Sequence, residues 1–183
     1  MGRVGHSQVE REPLAYIVQH LRARDRQEIF ALRWTDDEDQ FVSEVLACAG
    51  DLWKLWYFDD EPVAATGMVP VRPGVVIGGA FGTDKWRKVV RPITRWARGF
   101  IIPSLQNANY HRIEAYVLAD NSDSRRWIEM FGGEVEALLK SFGRNREDFL
   151  LYVLDLTQGR TDDVLFRRPK GPKRTQDGYR LSS

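Results

Sequence analysis

The stretch NSDSRRWIEMFG, residues 121–132, decides how this chain is read. Residues 122–131 are expected to form a helix that stops at Gly132-Gly133. Just before it, Ile113, Ala115 and Val117 alternate with Arg112, Glu114 and Tyr116, the period-two pattern of a half-buried strand over residues 111–118. Just after it, residues 134–142 and 149–156 read as two strands around the turn Gly143-Arg144-Asn145-Arg146.

Toward the N-terminus, residues 86–106 predict a long helix. Val89, Ile93, Trp96, Phe100 and Ile101 fall on one face, and Arg91, Arg95 and Arg98 on another. Pro92 suits the first turn of such a helix, and Pro103 should kink or end it. Residues 52–58, 63–71 and 75–81 are strand-like, and the turns Asp59-Asp60-Glu61-Pro62 and Pro73-Gly74 join them into an antiparallel meander. Earlier still, residues 14–18 are a short apolar run after Pro13, read as a first strand. Residues 23–34 form a short amphipathic helix. Thr35 is expected to cap the next one, with Glu38 completing a capping box and Cys48 on its apolar face. The expected order is β-α-α-β-β-β-α-β-α-β-β.

The chain has 183 residues, the size of one domain, and 43% of them are hydrophobic, enough for a sizeable core. No apolar run reaches the ~18 residues of a membrane span, and the first residues carry no apolar leader segment. Cys48 is the single cysteine, so no internal disulfide forms, and an intracellular setting is expected. His6, His20 and His111 lack the spacing of metal ligands. The net charge of +1 hides an asymmetry: residues 157–183 hold seven Lys/Arg against three Asp, so the rest of the chain is mildly acidic. Two parts are expected, a domain over residues 1–156 and a basic, extended tail over 157–183.

The element order resembles that of the GNAT N-acyltransferase fold over residues 14–156, in which helices cover both faces of a mixed, mostly antiparallel central sheet. The resemblance places this chain in the α/β (α+β) class. Members commonly carry an Asn after the fifth strand and then a helix ending Tyr-Glu-x-Leu-Gly. Asn121, Glu129 and Gly132 fall at those offsets. A narrower resemblance is to GNAT-like proteins encoded with the structural genes of tailed bacteriophages, of the internal virion protein type. It rests on Phe81-Gly82-Thr83-Asp84, Thr94-Arg95-Trp96, Ile102-Pro103-Ser104-Leu105, Arg126-Trp127-Ile128-Glu129 and the run from Arg146 to Tyr152.

Acyl-CoA chemistry in this fold implies a glycine-rich loop that cradles pyrophosphate on backbone N–H groups. Residues 83–94 read TDKWRKVVRPIT, without glycine. If acyl-CoA binds, Lys85, Trp86, Arg87, Lys88 and Asn121 are its expected contacts; otherwise the cations are a solvated helix start. The resemblance also implies a tyrosine acid four residues before the glycine that closes the helix, a position held here by Ile128. Tyr116 and Ser124 are the substitutes. Glu114 and Asp84 are the nearest candidate bases, with ion pairing as the other role open to Glu114.

The function these features imply is a non-catalytic, virion-associated or virion-assembly protein with no cofactor, located in the virion or the host cytoplasm. Its partners would be other virion proteins, met through Val164, Leu165, Phe166, Arg167, Arg168, Lys170 and Tyr179 of the tail. The alternative is an acetyl-CoA-dependent N-acetyltransferase. Nucleic-acid binding through Arg91, Arg95 and Arg98 is a third reading.

Overall fold

The computed structural model describes residues 2–157. The strands are β1 (Val4–Ser7), β2 (Lys54–Phe58), β3 (Glu61–Arg72), β4 (Val75–Gly82), β5 (Arg112–Leu118), β6 (Glu134–Leu139) and β7 (Phe149–Asp155). They form one sheet in the order β1-β2-β3-β4-β5-β7-β6. β4 and β5 run parallel and every other neighbouring pair is antiparallel. The helices are α1 (Arg11–Gln19), α2 (Ala23–Ala31), α3 (Glu38–Cys48), α4 (Val90–Trp96), α5 (Ile102–Asn107) and α6 (Ser122–Glu129).

One face of the sheet is covered by the first three helices, where Leu14, Ile17, Phe30, Phe41 and Val45 pack on Trp53, Leu55 and Phe81. The other face is covered by α4 and α5, through Val89, Ile93, Ile101 and Leu105 against Trp56, Val63 and Val76. This is the layered α/β arrangement read from the sequence, with seven strands.

Four local expectations change. Residues 14–18 lie within α1, and the first strand is β1. Leu14, Ile17 and Val18 are fully buried at i, i+3 and i+4, a helical stripe that a five-residue run displays too briefly to reveal. The cap of α3 is Asp37, whose carboxylate accepts from Gln40 N–H at 2.9 Å, while Thr35 accepts from Asp37 N–H. Cys48 is exposed at the end of that helix.

The long helix expected over 86–106 is divided. A 3-10 turn (Asp84–Lys88) precedes α4, and a π-helical turn (Ala97–Ile101) joins it to α5. Pro103 sits in the first turn of α5. It has no N–H, and its ring crowds the carbonyl four residues back, so the ladder widens just ahead of it. Pro92 falls in the first turn of α4, as expected.

Candidate active site

β4 and β5 pair only at their starts, through Val75 with Arg112, Val76 with Ile113 and Ile77 with Glu114, and then diverge. The antiparallel ladder fixes which backbone groups face the resulting gap. Thr83 N–H donates to Val63 carbonyl at 2.8 Å, so residues 77, 79, 81 and 83 turn their N–H and C=O groups toward β3. Gly78, Ala80 and Gly82 turn theirs toward β5.

Helix α2 bridges the open end of the gap with two carboxylates one turn apart. Asp25, buried, accepts from Gly82 N–H of β4 at 2.7 Å. Glu28 accepts from Leu118 N–H of β5 at 2.9 Å. Arg22 donates bidentately to Asp25 at 2.8 and 2.7 Å, and its own N–H bonds Gly82 carbonyl at 3.0 Å. Burial raises the Asp25 carboxyl despite that guanidinium. Burial also pushes the Glu28 carboxyl up to about 7, against the hydrogen bonds from Leu118 and Asn121.

Asn121 ties this carboxyl to α6. Its Nδ2 donates to Glu28 at 3.0 Å and to Ser124 Oγ at 2.9 Å, and its Oδ1 accepts from Ser124 N–H as the cap of α6. Ser124 Oγ is thereby an acceptor, and its O–H remains a donor on the wall.

The gap opens into a cleft of about 1100 Å³, walled by Trp34, Trp53, Trp86, Trp96 and Trp127 among others. Trp86 is a wall and not a plug: its ring meets Trp127 edge to face at 5.5 Å, and Arg22 lies over it at 4.7 Å. Trp53 lies against Gly67, and its Nε1 is buried without a hydrogen-bond partner.

The residues singled out by sequence divide between cleft and elsewhere. Trp86, Arg87, Asp84, Asn121, Tyr116 and Ser124 all line the cleft. Tyr116 is stacked on Phe142 at 5.7 Å. Lys85 and Lys88 lie off its walls. Lys85 pairs with Glu61, which also accepts from Tyr16 Oη at 3.0 Å, and Lys88 Nζ stands 5.3 Å from the Phe58 ring. In a 3-10 turn residues i and i+3 eclipse, so Asp84 and Arg87 share one side, and Lys85 and Lys88 the other. Glu114 takes the pairing role: it is buried under Arg72 at 2.6 Å and Arg112 at 2.7 Å, away from the cleft walls. Arg112 also forks onto Glu136. The tail residues Val164, Leu165, Phe166, Arg167, Arg168, Lys170 and Tyr179 lie outside the described residues.

Sequence reasoning missed Glu28 and Asp25. Both fall within the amphipathic helix expected over residues 23–34, and no local signal shows that they meet backbone amides 90 and 57 residues away. No group of metal-ligating side chains occurs among the described residues, nor is any described helix long and apolar enough to cross a membrane.

Neither a family model nor a curated protein matches the sequence. Solved structures do match the fold. One is yncA, a putative acetyltransferase from Salmonella typhimurium with its cofactor acetyl-CoA, at 13% identity and TM-score 0.61, covering 85% of this chain and 95% of that one. Another is the ribosomal-protein-S18-alanine N-acetyltransferase from Escherichia coli, at 12% and 0.61, covering 87% and 98%. A third is a GNAT-family acetyltransferase from Bacillus anthracis, at 15% and 0.63, covering 86% and 100%. The chain has the GNAT fold.

Proposed function

We propose that the cleft is the active site of an N-acyltransferase that moves an acyl group from an acyl-CoA thioester to a primary amine. The observation that carries this reading is Glu28. A carboxyl held near 7 is half ionised at neutral pH and is about 300-fold more basic than an ordinary glutamate. It stands on the cleft wall beside a strand edge with unused hydrogen-bonding groups.

The residues present fit such a cofactor in an altered way. The N–H and C=O groups of Ala80, beyond the last β4–β5 pair, offer an extended amide chain the edge of a strand to pair with. The 3-10 turn offers no glycine cradle for the diphosphate. Arg87 there and Arg126 on α6, both on the cleft wall, would meet phosphate by side-chain charge. When bound, acyl-CoA supplies an activated carbonyl carbon. Glu28 then accepts a proton from the acceptor's ammonium, freeing the nitrogen lone pair for attack. Ser124 or Tyr116, which both line the cleft, would give its hydroxyl proton to the departing sulfur and regain one from the nitrogen that has attacked, so that amide and free thiol result, in place of the tyrosine that Ile128 replaces. The fold of the acetyltransferases matched above agrees with this chemistry.

Thiol release by the full-length protein, with acetyl-CoA and a panel of primary amines, tests the reading. Glu28→Gln should lower kcat by about 10²- to 10⁴-fold. If no amine gives release above the blank and calorimetry shows no CoA binding at millimolar ligand, the proposal fails. In the competing reading the protein is non-catalytic, for which the missing glycine loop and Ile128 speak, and virion-associated, for which neither residue feature speaks. It predicts that negative result together with co-purification in particles.

A further inference from the structure

The cleft would hold the carrier as well as the acyl group, and its lining differs along its length. Its volume of about 1100 Å³ lies just above the roughly 300–1,000 Å³ range of small-molecule sites. The two ends of this space differ in chemistry. At the carboxyl ends of β4 and β5 the walls include Asp84, Arg87, Asp123 and Arg126. At their amino ends, where the strands pair, the walls are Met68, Ile101, Ile113 and Leu154. One end suits a charged carrier, and the other is an apolar blind end.

The space exists because the sheet presents small residues where helices pass over it. On the face covered by α4 and α5, the diverging strands offer Gly78, Ala80 and Ala115. Helix α6 lies over them without a single fully buried side chain. Its Trp127 and Ile128 line the cleft half-buried instead of filling it. A tightly packed interior would close such a gap. Gly78 lies under Met68 and Ile113, the side chains that begin this apolar end: a Cβ there would come 3.1 Å from Met68 Sδ and 3.6 Å from Ile113 Cγ2.

We infer that the acyl group this site takes is an apolar chain longer than acetyl, running from beside Ala80 past Gly78 into the space bounded by Met68, Trp96, Ile113 and Phe131. The inference rests on the acyltransferase reading and specifies its donor. Each methylene that enters the blind end leaves water for an apolar wall, which tightens binding about fourfold. From acetyl to hexanoyl the gain is on the order of 10²-fold.

Calorimetric titration of the full-length protein with acetyl-, butyryl-, hexanoyl- and octanoyl-CoA reads this directly. The dissociation constant should fall at each step up to hexanoyl. Ala115→Leu and Met68→Phe, which fill the blind end from two different strands, should erase the gain and leave acetyl-CoA binding within about threefold. Either variant suffices if the other fails to fold. Acetyl-CoA bound with no gain on lengthening overturns the chain pocket and leaves the transferase reading standing. A gain that survives in a folded variant also overturns it, because the chain is then sticking elsewhere. Absence of binding by CoA and by every ester removes the transferase reading itself.

Discussion

Glu28 holds its proton more tightly in the folded chain than a free glutamate does, and two consequences follow. The unfolded carboxyl ionises near 4.5 and the folded one near 7. Between those values the folded state binds the extra proton, so this residue's contribution to stability is fully present below 4.5 and falls as pH rises. Glu28→Gln abolishes that slope. Relative to the natural chain, the variant should therefore gain up to about 3 kcal/mol between pH 4.5 and 7 and no more above it, measured by urea unfolding across that range. The catalytic consequence has the opposite sign: acyl transfer should climb as pH rises through about 7 and then level off, and this climb should be missing in the variant. Neither effect was legible locally. Asn121 was singled out because its offset from Gly132 is a chain-local signal, whereas Glu28 owes its properties to burial and to partners across the fold such as Leu118 N–H.

Among the elements, helix α6 depends most on its cap, because none of its side chains is fully buried. Asn121→Ala removes the side chain that accepts from Ser124 N–H and should cost about 1 kcal/mol. Hydrogen exchange should show it as faster exchange of the α6 amides, with the β7 amides unchanged. Strands were easier to read than helices. The alternation in β5 and the turns flanking β3 are short-range patterns, and both strands lie where they were expected. The errors fell where a period had too few residues to show itself, as in α1, or where the helix type changed. Lys85 and Lys88 were grouped with Trp86 and Arg87 because a linear run of cations looks uniform. A 3-10 turn of five residues sorts them onto two sides.

At the scale of the whole molecule, a ligand that fills the cleft binds the folded chain and not the unfolded one. At a hundred times its dissociation constant, acyl-CoA should add about 2.7 kcal/mol and raise Tm by about 5–11 °C in a thermal scan. The sheet's division into a meander (β1 to β4) and a second unit (β5 to β7) gives this gain its physical basis, since the ligand bridges the two. The chain already has one bridge of its own. Asp25 and Glu28 stand one on each side of the opening like the two feet of a strut, and each foot rests on a backbone amide. The width of the opening is thereby set by the pitch of a helix. A guest must slide in along the strands, because prying them apart would leave Gly82 and Leu118 without partners. Those two amides are already held by the chain's own carboxylates, so an entering ligand finds them dry.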